Sequence, residues 1–200
     1  MMENRGHRFL YQLVEVLVRT MESRDTYLVD HQKMVSGLAR RLAQELKLSA
    51  NEVEGIRVAG QLHDIGKIAL PSELLSKLGI LHYEEFELIK THVKRGNEIL
   101  ANIEFPWPIQ TMISQHHERL DGSGYPDGLR NDEICPGARI LAIADLVNAV
   151  SRARPYRVAM GVDTMLSIFE EDGGACYDAD VVEALNNLIE RKDEKFMEYL

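Results

Sequence analysis

The sequence has few cysteines and no long apolar run, and these two shortages exclude several classes of protein. It contains two cysteines, Cys135 and Cys176, which do not form a CxxC pair. Two cysteines are too few for a disulfide-stabilised extracellular domain, so we expect reduced thiols and a cytoplasmic protein. No apolar stretch approaches the roughly 18 residues of a membrane-spanning helix, so we expect no membrane insertion.

Positive charge is also in short supply. The chain has 23 lysines and arginines against 32 acidic residues, which gives a net charge of −9. Nucleic acid polymers and anionic membrane surfaces are bound through dense positive surfaces, so this acidic chain does not suit either partner. A small polyanionic ligand would need a local basic patch or metal ions.

Apolar residues recur at helical spacing, and no alternating strand pattern of any length occurs. The sequence therefore predicts an all-α fold, a compact helical bundle. The segment Ser49–Glu52 has the pattern of a capping box and predicts a helix that opens near residue 50 and stops at Gly66. The other helices are predicted over residues 8–22, 28–46, 83–100, 109–117, 138–152, 164–169 and 178–189, with a short one starting at Pro71. The Gly- and Pro-rich residues 121–137 are expected to form a loop.

No linker or internal repeat divides the chain. We expect residues 1–22 to form an N-terminal helix that packs on the core or forms a homodimer seam. Residues 23–190 are expected to form the main domain, and residues 191–200 a C-terminal tail.

Several histidines and aspartates occupy positions that favour metal binding. His63 and Asp64 are adjacent at a predicted helix end and can direct an imidazole and a carboxylate at one ion. His31 lies on an apolar stripe and faces the core. Asp145 lies inside a strongly apolar helix, where a carboxylate is costly unless it is paired, hydrogen-bonded or bound to a metal. A buried, hydrogen-bonded aspartate remains the alternative for Asp145.

His92 lies on an inward helix face, and His116 and His117 close another helix. The alternative for the pair is a helix C-terminus that uses imidazoles to complement its dipole. Nitrogen and carboxylate ligands together suit iron, manganese or zinc. A carboxylate bridging two such ions would create a two-metal centre for in-line attack at phosphorus.

Basic residues cluster at one place in this acidic chain. Arg152, Arg154 and Arg157 fall within six positions, with Tyr156 among them. Arginine matches phosphate oxygens and stacks on purines, so the cluster predicts a phosphate and base clamp, with a solvated helix end as the alternative. Lys67, four residues after His63, would reach a phosphate beside the metals unless it is an ordinary surface lysine.

The order of these residues resembles that of the HD-GYP family, a branch of the HD metal-dependent phosphohydrolases. The resemblance covers residues 22–190, and its most specific part is the HHExxDGxGYP run from His116 to Pro126. The other matching segments are His31, His63 to Lys67, Thr91-His92 with Gly96, Ala144-Asp145, and Arg154 to Arg157.

The resemblance implies an all-helical enzyme that hydrolyses cyclic di-GMP to pGpG, with GMP as a further product in some members. It implies attack on phosphorus by a hydroxide that bridges two divalent ions, with iron or manganese favoured over zinc. Asp64 would be shared between the ions. The first ion would be held by His31, His63, Asp64 and Asp145, and the second by Asp64, His92, His116 and His117.

The resemblance also implies roles in substrate binding. Lys67 would neutralise the phosphate in the transition state, so that Asp64 and Lys67 are the expected catalytic residues. Tyr125 would contact the ligand from the Gly-Tyr-Pro loop. Arg154 and Arg157 would hold the phosphates or stack on guanine.

Four features depart from the family pattern, one of them Arg152-Ala153 in place of the usual Ser-Asp before Arg154. Tyr27 stands where some members have a glutamate that binds a third ion, so we expect two ions and cleavage to pGpG. Val93 replaces a proline after the third histidine. Asn148 replaces an aspartate expected to support a ligand, so the change should alter metal affinity without abolishing it.

Two other functions remain open from the sequence. One is hydrolysis of another nucleotide or cyclic dinucleotide by the same kind of site. The other is a regulatory module that binds cyclic di-GMP with weak or no hydrolysis, which the intact ligand set disfavours. No sensor segment is recognised before the main domain, so we expect regulation by a separate protein or by dimerisation.

Overall fold

The computed structural model describes residues 2–22, 26–77, 79–151, 161–172 and 174–199, with side chains from residue 8 onward except those of 26–29, 163 and 172. Every regular element in these ranges is a helix, which confirms the predicted all-α fold. The α-helices are α1 (Met2–Glu22), α2 (Thr26–Glu45), α3 (Ala50–Leu62), α4 (Ser72–Leu75), α5 (Tyr83–Lys90), α6 (His92–Leu100), α7 (Ile109–Gln115), α8 (Pro136–Ser151), α9 (Val162–Asp172), α10 (Ala179–Glu190) and α11 (Glu194–Met197). Two short 3₁₀ helices span Ile65–Ala69 and Asn131–Glu133.

Helix α2 lies at the centre of the bundle. It packs against α1, α3, α8, α10 and α11, and α3 packs in turn against α7 and α8. Leu38, Leu42, Leu62 and Leu141 are fully buried where these helices meet. Among the described residues, no helix combines the length and the apolar character needed to cross a lipid bilayer.

The start of α3 is as predicted, but its end is not. Ser49 Oγ accepts a hydrogen bond from the Glu52 backbone N–H, and the Glu52 carboxylate accepts one from the Ser49 N–H, which confirms the capping box. The helix stops at Leu62 instead of continuing to Gly66. A Cβ on Gly66 would lie 1.9 Å from the His92 carbonyl oxygen, so the chain leaves the helix here to pass close against α6.

The single helix predicted over residues 83–100 is two helices, α5 and α6, that meet at Thr91. Thr91 directs both its backbone N–H and its hydroxyl to the Leu88 carbonyl, at 3.2 and 2.6 Å. These contacts tighten the turn, and the nearby Ile89 carbonyl accepts a hydrogen bond from His92 Nδ1. The apolar period continues across the break, which is why the sequence predicted one helix.

The two ends of the chain pack into the same core. Val14, Val18 and Met21 of α1 are buried among the core side chains. Residues 191–200, expected as a tail, contain α11, whose Phe196 is fully buried. Asp193 caps this helix by accepting a hydrogen bond from the Phe196 N–H at 2.9 Å.

Candidate metal centre

Five helix-associated segments bring the seven predicted metal ligands together. The predicted ligands are five histidines and two aspartates: His31 in α2, His63 and Asp64 directly after α3, His92 at the start of α6, His116 and His117 directly after α7, and Asp145 in α8. The structure turns His116 and His117 toward the other imidazoles, with ring centroids of His63 and His116 5.1 Å apart. A surface role in complementing the helix dipole therefore does not describe this pair.

The ligand atoms form two groups within the described residues. In each group, one nitrogen or oxygen from every residue lies within 4.8 Å of the others. The first group is Asp64, His92, His116 and His117, and the second is His31, His63 and Asp145.

Asp64 lies between the two groups. Its Oδ1 is 3.4 Å from His92 Nε2, and its Oδ2 is 3.4 Å from His63 Nε2 and 3.6 Å from His31 Nε2. Ligand atoms that share an ion at about 2.0–2.2 Å from it lie roughly 3–3.5 Å apart. The HD-GYP resemblance assigns the seven residues to two ions in the same way, with Asp64 shared by both ions. That these residues bind ions stays a prediction.

Backbone carbonyls fix the orientation of three imidazoles. Each of these rings donates from Nδ1 to the carbonyl three residues earlier and leaves Nε2 directed into the cluster. The pairs are His63 with Gly60 at 2.8 Å, His92 with Ile89 at 2.8 Å, and His116 with Ile113 at 2.7 Å. A hydrogen bond on one ring nitrogen leaves the other nitrogen as a lone-pair donor, which is how metal-binding histidines are held.

Several buried polar atoms in the cluster lack a hydrogen-bond partner. They are the Nε2 atoms of His63, His92 and His116 and the Oδ1 of Asp64. An unsatisfied buried polar group costs about 1–3 kcal/mol, so several in one place require a compensating ligand. The donor set of imidazole nitrogens and carboxylate oxygens fits a first-row divalent metal. The chain therefore has a candidate metal-binding His/Asp cluster.

The protonation states also suit metal binding. Burial lowers the pKa of His63, His92 and His116, and it lowers that of His117 to about 3. These imidazoles are therefore neutral at neutral pH, which is the form that binds metals.

The two aspartates of the cluster are ionised. Burial acts to raise the pKa of Asp64, but the ammonium of Lys67 opposes burial, and that pKa lies well below its usual range. Burial likewise opposes ionisation of Asp145, but a hydrogen bond with His31 outweighs it and holds that pKa well below the usual range. His31 Nε2 lies 3.2 Å from Asp145 Oδ1.

Lys67 belongs to the cluster and is not an ordinary surface lysine. The 3₁₀ helix Ile65–Ala69 turns its side chain back, so that Nζ donates to Asp64 Oδ2 at 2.6 Å. Its side chain is 21% exposed, which leaves the ammonium at the boundary between the buried aspartate and the solvent.

The Gly-Tyr-Pro loop is anchored beside His117. The Tyr125 ring stacks on the His117 ring with centroids 4.6 Å apart, and the Tyr125 N–H donates to the His117 carbonyl at 3.2 Å. A Cβ on Gly124 would lie 2.4 Å from the Cα of Glu118, so only glycine permits this close approach. Tyr125 is therefore positioned at the His/Asp cluster, and its contact with a ligand stays a prediction.

Glu118 is a site residue that the sequence reasoning did not single out. It is only 2% exposed, and its carboxylate accepts hydrogen bonds from the backbone N–H groups of Asp127 at 2.7 Å and Leu129 at 3.1 Å. These bonds tie the far side of the loop to the residue that follows His117. The signal available in the sequence was the acidic residue inside the HHExxDGxGYP run.

The structure does not describe every predicted site residue. Arg152, Arg154, Tyr156 and Arg157 lie outside the described residues, as does the side chain of Tyr27. Their predicted roles therefore rest on the sequence.

Comparisons with known proteins identify relatives over most of the chain. The profile of the HD domain family matches residues 15–181. The chain is 39% identical over 182 residues to a cyclic di-GMP phosphodiesterase of Thermotoga maritima, covering 90% of this chain and 50% of the relative. It is 32% identical over 181 residues to 3'3'-cGAMP-specific phosphodiesterase 3 of Vibrio cholerae, covering 90% and 39%. The chain thus spans half or less of the length of these curated relatives.

A solved structure shares the fold. The protein Bd1817, described as an HDG"Y"P protein from Bdellovibrio bacteriovorus, superposes with a TM-score of 0.67 at 20% identity. The match covers 89% of this chain and 60% of that one.

Proposed function

This chain belongs to the HD-domain family, and from that premise we propose that it is a metal-dependent phosphodiesterase that hydrolyses cyclic di-GMP to pGpG. The observation that carries the proposal is the position of Asp64, which belongs to one group of candidate ligands and lies 3.4 and 3.6 Å from His63 and His31 of the other. The 39% identity to a cyclic di-GMP phosphodiesterase supports the substrate class. The HD-GYP resemblance drawn from the motifs is confirmed at the level of the family.

We propose that the cluster holds two divalent ions, iron or manganese in preference to zinc. One ion would lie among His31, His63, Asp64 and Asp145, and the other among Asp64, His92, His116 and His117. Bound divalent ions supply Lewis-acid stabilisation of phosphoryl oxygens and lower the pKa of water. With Tyr27 in place of a glutamate, nothing in the motif supplies a third carboxylate site, which favours pGpG over GMP as the product.

The protein's own residues have distinct tasks in this proposal. The imidazoles and the ionised Asp64 and Asp145 would provide the lone pairs that hold the ions, from side chains most of which are buried. Lys67 lies where its ammonium can turn from Asp64 Oδ2 to a phosphate oxygen as charge develops there. Tyr125 would contact the dinucleotide from the loop, and Arg154 and Arg157 would hold its phosphates or bases.

A second candidate substrate is 3'3'-cGAMP, which the 32% identical relative from Vibrio cholerae hydrolyses according to its name. The same metal cluster would act on either phosphodiester, so the choice between them depends on the groups that contact the bases. A purely regulatory module is disfavoured because binding alone does not require seven convergent ligands. A homodimer through α1 and a separate regulatory chain stay predictions.

The test is to load the protein with iron or manganese and incubate it with cyclic di-GMP and with 3'3'-cGAMP in parallel. Chromatography of the products should show pGpG from cyclic di-GMP, and metal analysis should show two ions per chain. The isosteric Asp64→Asn variant, like Asp64→Ala, should lose bound metal and at least about 100-fold in activity, since even outer-shell changes cost 10–100-fold.

The matched control is Asp30→Asn, which removes an exposed carboxylate one residue from His31. This control should keep wild-type metal content and activity. Normal hydrolysis by Asp64→Asn would contradict the shared role of Asp64. Faster cleavage of 3'3'-cGAMP than of cyclic di-GMP would select the second candidate.

A further inference from the structure

Helix α5 has apolar side chains but buries none of them. Tyr83 is 74% exposed, Phe86 43% and Leu88 37%, although the helix lies next to the Gly-Tyr-Pro loop. An isolated helix of eight residues is not stable in water, so neighbouring contacts must hold it. The Glu85 carboxylate provides two of them, because it accepts from Lys77 Nζ at 2.6 Å and from the His82 N–H at 2.7 Å.

One exposed ring of α5 is connected to the metal cluster. The Phe86 ring meets the Tyr125 ring edge to face, with centroids 6.3 Å apart, and Tyr125 stacks on His117 at 4.6 Å. The three rings form a continuous aromatic path from a proposed metal ligand to the surface. Phe86 is its outermost member, and its side chain remains partly exposed to solvent.

A cation accompanies this aromatic path. The Nζ atom of Lys90 lies 5.1 Å from the centroid of the Phe86 ring and 5.4 Å from that of Tyr125. Phe86 and Lys90 are four residues apart in α5, which places them on one helix face. The ammonium also donates to Glu87 Oε1 at 2.7 Å, so it holds the two rings together while its charge is balanced by that carboxylate.

We propose that Phe86 is a stacking platform for one purine of the cyclic dinucleotide, and that Lys90 keeps the ring in place. This inference rests on the proposed function. A base is joined to the reacting phosphate through one ribose, so it must lie a short distance outside the metal cluster, where Phe86 is found. A phenyl ring offers no hydrogen-bonding group, so it binds the face of the base and does not distinguish guanine from adenine.

The test compares the steady-state kinetics of metal-loaded variants. Phe86→Leu removes the ring and keeps apolar volume, Phe86→Trp keeps an aromatic face, and Phe9→Leu is the matched control because it removes an exposed phenyl ring from α1. Stacking of one base contributes enough to change affinity about 5- to 150-fold. Phe86→Leu should therefore raise KM for cyclic di-GMP by that factor with kcat within about threefold, while the other two variants keep wild-type KM.

A second readout reports stacking without hydrolysis. The probe is a cyclic dinucleotide in which 2-aminopurine replaces one guanine, mixed rapidly with the metal-loaded protein. Its fluorescence should be quenched on binding to the wild type, to Phe86→Trp and to Phe9→Leu. The quenching should be lost with Phe86→Leu.

The outcomes separate this inference from the proposed function. Hydrolysis of bis(p-nitrophenyl) phosphate without binding or hydrolysis of any cyclic dinucleotide would overturn the proposed function, and the purine platform with it. Hydrolysis of cyclic di-GMP with wild-type KM and quenching in Phe86→Leu would overturn the platform alone. A loss confined to kcat in that variant would also overturn it, because it would show that Phe86 acts through Tyr125.

Discussion

The Nδ1 atom of His31 donates a hydrogen bond to the Oδ1 of Asn148, 2.6 Å away and buried between α2 and α8. This bond leaves His31 Nε2 directed at Asp145 Oδ1, 3.2 Å away. The sequence identified Asn148 as a departure from the aspartate of the HD-GYP pattern. The structure shows that the amide keeps the orienting contact, although it lacks the negative charge that would make the imidazole more basic.

Replacing Asn148 should therefore change metal affinity. Asn148→Leu leaves His31 Nδ1 without an acceptor, and we expect it to weaken metal binding about 10- to 100-fold, as for other residues that orient a ligand. Asn148→Asp should bind metal at least as tightly as the wild type because the carboxylate accepts the same bond. Competition with a chromophoric chelator measures both.

The control for these variants is Asn187→Leu, which replaces an exposed asparagine on α10. It should leave the chelator competition unchanged. Wild-type metal affinity in Asn148→Leu would show that His31 does not need this bond in order to point at the cluster.

Lys67 should affect turnover more than metal content. Lys67→Gln removes the ammonium that lies 2.6 Å from Asp64 Oδ2, and we expect kcat for cyclic di-GMP to fall about 100- to 1000-fold, the usual effect of losing one charge-stabilising donor. The metal stoichiometry should stay at the wild-type value. Lys94→Gln, an exposed lysine on α6, should change neither quantity. A wild-type kcat in Lys67→Gln would show that Lys67 has only a structural role.

Glu118 should control the position of the Gly-Tyr-Pro loop. Glu118→Gln replaces one of two accepting oxygens with an N–H donor that faces a backbone N–H of Asp127 or Leu129. We expect the free energy of unfolding to fall by about 1–3 kcal/mol and KM for cyclic di-GMP to rise. Urea denaturation and steady-state kinetics measure the two effects, with exposed Glu98→Gln as the control. Unchanged values of both would show that the loop does not depend on this carboxylate.

The cap of α11 predicts a pH-dependent contribution to stability. Burial acts to raise the pKa of Asp193, but the Phe196 N–H and Arg41 outweigh it and lower that pKa below the ordinary 3.8. A carboxylate with a lowered folded-state pKa stabilises the fold above its unfolded pKa, and this contribution disappears as pH falls through the folded pKa. Asp193→Asn keeps a capping oxygen but loses the carboxylate that pairs with Arg41, so it should be less stable than the wild type at neutral pH by about 0.2–1 kcal/mol.

The difference in unfolding free energy between the wild type and Asp193→Asn should shrink as the pH falls below the unfolded pKa of 3.8 and Asp193 becomes protonated. Urea unfolding of both proteins at neutral pH and near pH 3 measures it. A difference that stays constant with pH would mean that the charge on Asp193 contributes nothing to the cap.

Local patterns in the sequence predicted local features well. The capping box at Ser49 and the adjacent His63 and Asp64 needed only neighbouring residues to be recognised. The break at Thr91 was missed because a hydrogen bond from a threonine to its own turn leaves the apolar period unchanged. Glu118 stands inside the HHExxDGxGYP run, but its role was missed because its partners are backbone N–H groups, which the sequence does not reveal.

The sequence by itself determined that the chain is helical, and its motifs selected seven imidazoles and carboxylates as metal ligands. Only the tertiary structure decided that Asp64 lies between two groups of these atoms, that Nδ1 of three rings is held by a carbonyl, and that Phe86 reaches Tyr125. The reason is physical: helical periodicity sets which face of one helix a residue occupies. The distance between side chains on different helices depends instead on how those helices pack. Close contacts such as that between Gly66 and α6 determine this packing.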